Sequence, residues 1–189
     1  YFAHALQEQI QFPVRVLDTD PVSVEECQRK GLEACCEDAL KAQPKGDEAV
    51  VCFNMILHHL VGDTEEATRA LQMKALTLWR DANIKIFVNE YIYESYIPSL
   101  SGRLIYEITK NKLLSTLGLA IAKFAPSMRA NTFGVGVRFR SHDEWRNLFT
   151  DAGFRISGII FGDNETISIP RRGLLIKSIR KDSFVLEPV

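Results

Sequence analysis

The chain has 189 residues, 46% of them hydrophobic, with 23 basic and 24 acidic side chains and a net charge of −1. That is enough chain for one domain with a real core. It excludes a strongly basic nucleic-acid trap over the chain as a whole, although a local basic patch stays open. The longest apolar run, around residues 113–125, is far short of the roughly 20 residues that span a bilayer, and no stretch reads as a signal peptide. Residues 1–10 carry Phe2, Ala5, Leu6 and Ile10 at helical spacing. No cap precedes them and the first residue is Tyr1 rather than Met, so this helix is expected to begin upstream. Phe12-Pro13 ends it.

Residues 14–17 form a short β-branched strand with Asp18 at its carboxyl end. Asp20-Pro21 then supplies a helix N-cap and a proline at the first helical position, and Gly31 is a natural stop. Residues 32–36 read as the next strand, followed by Glu37-Asp38-Ala39-Leu40 and a polar loop with Pro44 and Gly46. Cys27, Cys35, Cys36 and Cys52 lack a CxxC spacing and a nearby histidine, so no metal site is expected. They read as buried, reduced thiols of a cytosolic protein.

Residues 49–53 read as a buried strand that turns polar at Asn54 and runs into His58-His59. Asp63 is the expected N-cap of a helix over 64–79, with Glu65 and Glu66 at its positive end and Ala67, Leu71, Ala75 and Leu78 on its apolar face. Residues 84–88 are a further strand, with Asn89-Glu90 at its tip on the same sheet edge as Asn54. This rhythm of strand and helix predicts a parallel sheet that binds ligands at its carboxyl edge.

Residues 91–141 break the rhythm and read as a helical insertion. A turn over 99–102 leads to one long helix over 103–124, with Leu104, Ile108, Leu114, Leu117 and Ile121 among its apolar positions, stopped by Pro126. A lid over a substrate, extra core packing, a dimer face and a membrane-surface helix all stay open. Phe133-Gly134-Val135-Gly136-Val137 precedes a strand-like Arg138-Phe139-Arg140 rather than a helix, so it is not a phosphate loop. Ser141 and Glu144 stand at capping-box spacing before a helix that ends at Ala152-Gly153. Strands at 155–161 and 174–179, with a turn at Gly162-Asp163-Asn164 between them, are too close to be parallel and must be an antiparallel pair.

Several of these stretches together resemble the class I S-adenosylmethionine-dependent methyltransferases. Asn54-Met55-Ile56-Leu57-His58-His59-Leu60 resembles the family's fourth motif, and Val16-Leu17-Asp18-Thr19-Asp20 its acid-tipped second strand. Glu37-Asp38-Ala39 is similar to its "G-D-A" motif with Glu in place of Gly. The stretch from Ser141 through Glu144-Trp145 to Ala152-Gly153-Phe154 resembles a late family segment. The resemblance implies an α/β, Rossmann-like three-layer sandwich: a mostly parallel sheet, an antiparallel C-terminal strand and a helical insertion, in a single domain over 1–189. It implies S-adenosylmethionine as cofactor, with Asp18 and Thr19 at the ribose, Asp38 and Ala39 at the adenine, and Phe53 and Asn54 lining the same ligand. The family's Gly-rich cofactor loop would precede residue 1 and is expected upstream.

The implied activity is methyl transfer to a small-molecule acceptor at oxygen, in the cytoplasm, without nucleic acid or stable membrane insertion; a homodimer through the insertion is a further option. His58 stands where similar O-methyltransferases carry a histidine base, and Glu90 is placed to orient its ring. His59 as the base, or neither histidine, stays open. Two rival readings are an inactive methyltransferase-fold binding or scaffolding protein and a nicotinamide-dependent Rossmann enzyme. The late antiparallel pair speaks against the second.

Overall fold

A computed structural model describes residues 2–10, 12–124 and 134–189, which fall into two compact units, Tyr1–Lys45 and Gly46–Val189. In the first, helix α1 (Phe2–Ile10) buries none of its residues. Strands β1 (Arg15–Asp18) and β2 (Glu33–Cys36) pair in parallel, with Asp18 in register with Cys36. Helix α2 (Pro21–Arg29) lies between them in sequence. Asp20 caps it as the sequence predicts: its backbone is extended and its carboxylate accepts from the Val22 and Ser23 amides. Gly31, at φ 78°, ends the helix in a conformation that favours glycine.

The second unit holds a four-stranded sheet in the order β3-β4-β6-β5, from β3 (Val50–Asn54), β4 (Lys85–Ser95), β5 (Phe154–Ile160) and β6 (Ile176–Pro188). Strands β3 and β4 are parallel, and β6 runs against both β4 and β5. Three strands therefore point one way and the C-terminal one points back. Helices α3 (Glu65–Arg80), α4 (Leu100–Lys110), α5 (Lys112–Phe124), α6 (His142–Asp151) and the short α7 (Ile169–Arg172) complete the unit. Strand β4 sends Ile86, Val88, Glu90 and Ile92 to one buried face. There Leu186, Phe184 and Asp182 of β6 stand opposite the first three in register. Helix α6 packs Phe149 edge-on to Phe184, ring centroids 5.2 Å apart. It starts with a complete capping box between Ser141 and Glu144. Among the described residues no helix is long and apolar enough to cross a membrane.

Several local expectations are corrected. Among the described residues β3 pairs with β4 alone; there Val50 is half exposed and Phe53 is the one buried residue of the strand. Strand β4 does not stop at 88: β6 pairs with it from Ile86 to Ser95, so Tyr91–Ser95 belongs to the sheet and Glu90 lies mid-strand, not at a tip. The helix expected over 103–124 is two helices. Asn111 breaks it with an extended backbone, and its side chain accepts from the Leu113 and Leu114 amides at 2.9 and 3.2 Å. The 99–102 turn is absorbed into the start of α4 behind Ser99, at φ 63°. Pro126 and Phe133 lie outside the described residues.

Thr64, not Asp63, caps α3, accepting from the Ala67 amide at 3.1 Å. The buried face of α3 is Thr68, Gln72, Ala75, Leu76 and Trp79; of the apolar stripe read from the sequence only Ala75 is fully buried, while Ala67, Leu71 and Leu78 are half-buried. Strand β5 ends one residue earlier than expected, and the connection to β6 carries α7 instead of a tight turn. The four cysteines are free but not buried: Cys27 is half-buried and the others are exposed.

Candidate active site

In the first unit Asp18 is the last residue of β1 and Asp38 lies two residues past β2, and each carboxylate accepts from a backbone amide two residues on. Asp18 Oδ1 accepts from the Asp20 amide at 2.9 Å, and Thr19 beside it is exposed. Asp38 follows β2 and accepts from the Leu40 amide at 2.9 Å, with Ala39 inside that turn. Asp38 Oδ2 also faces the Lys41 ammonium at 4.0 Å, and both carboxylates keep acceptor capacity that suits hydroxyl or amino donors of a ligand.

In the second unit β3 delivers Phe53 and Asn54 to the carboxyl end of the sheet. Phe53 is buried, and Asn54 Oδ1 accepts from Asn89 Nδ2 at 2.8 Å, which ties the two strand ends together. Met55, at φ 60°, turns the chain while its amide donates to the Asn89 carbonyl at 2.8 Å. One turn of 3-10 helix, Leu57–His59, follows. It brings His58 against Glu90, 4% and 0% exposed. Glu90 Oε1 accepts from the Leu57 amide at 2.7 Å, and Glu90 Oε2 lies 2.6 Å from His58 Nδ1.

A carboxylate oxygen accepts, so opposite Glu90 the Nδ1 position is the donor of the contact, which points Nε2 away from Glu90. Nε2 has no hydrogen-bond partner among the described residues. Phe139 stacks on the His58 ring at 4.9 Å, Tyr93 stacks on Phe139 at 4.3 Å, and Tyr91 meets His58 edge-on at 6.1 Å. Burial pushes the Tyr93 hydroxyl up to about 12, opposed by Arg171 and helped by Tyr91 and Glu165. His59 is exposed, and its ring lies tilted at 39° against His58 with centroids 4.1 Å apart. Partial loss of water and the neighbouring His58 hold its ring below the usual imidazole range.

Behind the pair lies a polar cluster that sequence reasoning missed. Residues 138–140 run beside β4 beyond the end of β3: Arg140 bridges to Ile92, and its carbonyl accepts from the Tyr93 amide at 3.0 Å. Arg138 is fully buried between Glu65 and Glu144, each 2.7 Å away. Arg140 Nη1 also reaches Glu65 at 2.7 Å, and its Nε donates to Gln72 Oε1 at 2.8 Å. Burial pulls the Arg140 guanidinium below its usual value, with Arg138 adding and Glu65 opposing. Burial pushes the Glu144 carboxyl up, but Arg138 and the Ser141 amide outweigh it, and the net shift is downward. The available signal was the Arg-x-Arg spacing at 138 and 140 on a strand-like segment, which puts both side chains on one face.

The structure thus brings Phe53, Asn54, His58 and Glu90 to the carboxyl end of β3 and the adjoining stretch of β4, and places Asp18 at the end of β1, Thr19 just past it, and Asp38 and Ala39 past β2. This is the fold of the class I S-adenosylmethionine-dependent methyltransferases. The chain is similar to LepI in complex with SAM, at 13% identity and a TM-score of 0.56 over 100% of this chain and 40% of that one. It is similar to the mitomycin 7-O-methyltransferase MmcR, at 13% identity and 0.55 over 98% of this chain and 44% of that one. The geranyl diphosphate C-methyltransferase of Streptomyces coelicolor A3(2), solved with Mg2+, geranyl diphosphate and S-adenosyl-L-homocysteine, matches at 8% identity and 0.56 over 98% and 66%. The chain spans about 40% of the length of the first of these. Neither models of known protein families nor curated proteins gave a match.

Proposed function

We propose that this chain belongs to an S-adenosylmethionine-dependent methyltransferase with a Rossmann-like fold that methylates a small-molecule acceptor at oxygen. The observation that carries this reading is the buried His58–Glu90 pair at the carboxyl end of β3. The cofactor, when bound, supplies an electrophilic sulfonium methyl. What a hydroxyl acceptor then needs from the protein is a base and a fixed geometry. His58 Nε2 takes the hydroxyl proton. Glu90 holds Nδ1–H, keeps the reactive tautomer and stabilises the imidazolium that forms. Asp18 and Thr19 are the proposed ribose contacts, Asp38 and Ala39 the adenine contacts, and Phe53 and Asn54 further cofactor contacts. The free acceptor capacity of Asp18 and Asp38 fits that assignment. Helices α4 and α5 are proposed as a lid over the acceptor.

Isothermal titration of the full protein with S-adenosylmethionine should show binding, and Asp18→Ala should weaken it by roughly 1.5–3 kcal/mol, the scale of hydrogen bonds to a charged group. Heat with NAD(H) but none with S-adenosylmethionine would overturn the reading. Transfer of a tritiated methyl group to catechol tests the oxygen acceptor; binding without transfer to any hydroxyl compound would favour a scaffolding role. Amide exchange in α4 and α5 should slow with ligand present. A dependence on protein concentration alone would mark these helices as a dimer face instead.

A further inference from the structure

We infer that Gln72 is a positioning residue for His58, acting through the backbone that carries it; this rests on the proposed role of His58 as a base. The turn Leu57–His59 is a single 3-10 turn, too short to fix a side chain by itself. Its backbone is held from three directions. The Leu57 amide donates to Glu90 of β4 at 2.7 Å. The Leu57 carbonyl accepts from Gln72 Nε2 of α3 at 3.0 Å and from the Leu60 amide at 3.1 Å. The His58 carbonyl accepts from the Arg138 amide at 2.9 Å. Gln72 is fully buried, as is Leu57.

The chemistry of this position selects glutamine. Arg140 Nε can only donate, so it must face Gln72 Oε1. A carbonyl can only accept, so the remaining Nε2 must face Leu57. The guanidinium thereby sets which way round the amide points, and the amide in turn sets the height of the turn against α3. Glutamate would keep the contact to Arg140 but turn an acceptor toward the Leu57 carbonyl. Methionine would keep the length and lose both bonds, leaving Arg140 with another unpaired donor beside its already unpartnered Nη2.

Nitrogen-15 NMR of the full protein with labelled histidine tests this without any ligand. The chain has four histidines, so His58→Gln assigns the Nδ1–H signal that Glu90 holds. Gln72→Met and Gln72→Glu should each shift or abolish that signal. Transfer of a tritiated methyl group to catechol should fall with it by about tenfold or more, as misplacement of a reacting group does. Should Gln72→Glu fail to fold, Gln72→Asn, which keeps the amide but shortens its reach, reads the same signal. A His58 signal left in its wild-type place in a folded Gln72 variant would make Gln72 a packing residue and overturn the inference. A displaced signal together with normal turnover in His58→Ala would sink the base reading and leave the positioning role standing.

Discussion

Two histidine–carboxylate pairs face each other across one strand junction. Glu90 of β4 and Asp182 of β6 are partners in register, and both are fully buried. Each faces a histidine Nδ1, His58 at 2.6 Å and His142 at 2.8 Å. Their second contacts differ. Glu90 spends its other oxygen on the amide of the turn that carries His58. Asp182 takes the Arg180 guanidinium at 2.9 Å and the Gly162 amide at 3.3 Å, while Glu94 receives both the His142 amide at 3.2 Å and Arg180 at 3.7 Å. The His142 ring lies between Phe161 and Phe184, 5.2 and 5.3 Å away. In the second pair the carboxylate also holds a guanidinium; in the first it holds the backbone of the turn that carries the ring, and neither ring has an Nε2 partner among the described residues. The same residue types thus sit in two different settings, set by what the carboxylate holds besides the ring.

The sharpest way to break this comparison is kinetic. His58→Ala should cut methyl transfer by about 10²–10⁴-fold, the reach of a general base, whereas His142→Ala should cost little turnover. Equal losses in the two variants would erase the distinction. Glu90→Gln should follow His58→Ala, because an amide in that place presents a donor either to Nδ1 or to the Leu57 amide. In the second pair the expected loss is in stability. Asp182→Asn leaves a mostly buried Arg180 without its main counter-charge and should lower the unfolding free energy by about 3–5 kcal/mol, read by urea denaturation.

A smaller effect belongs to the aromatic wall of the first pair. Tyr93 is pushed up to about 12 in the folded protein, against an ordinary value of 10.0. The unfolded chain therefore gives up this proton first. Between those values it binds fewer protons than the native state, so stability falls as pH rises from 10 toward 12, by an amount on the order of 3 kcal/mol at most. Absorbance near 295 nm should show one tyrosine ionising last, and Tyr93→Phe should remove that step. The smallest effect is at the start of α6, where Ser141→Ala should cost about 1 kcal/mol. It should loosen His142 without touching His58.

The elements that local chemistry writes were legible in the sequence. Asp20-Pro21 and the Ser141–Glu144 box announce their helices, and the strand that turns polar at Asn54 leads directly to His58. What stayed hidden depends on partners far along the chain. The extension of β4 through Tyr91–Ser95 is held by β6, more than 80 positions downstream, so its first residues read as the start of a helical insertion. The buried face of α3 was misread because Thr68 and Gln72, which a hydropathy pattern assigns to the surface, are spent on Gly62 and Leu57. The Arg138–Glu65 and Arg140–Gln72 bonds join segments 73 and 68 positions apart, and no spacing rule reaches that far.

Strand β4 has 11 residues and its parallel neighbour β3 only five. The uncovered length would leave bare amides and carbonyls, a template on which another chain could dock. The Met55 amide, the 3-10 turn and the Arg140 bridge occupy that flank instead. The segments that carry the proposed base are therefore also the guard on a sticky edge. Substitutions that loosen the backbone at Leu57 or Arg140 carry a colloidal cost as well as a catalytic one: such variants should precipitate on storage at concentrations where a His58→Ala protein, with its backbone intact, stays clear.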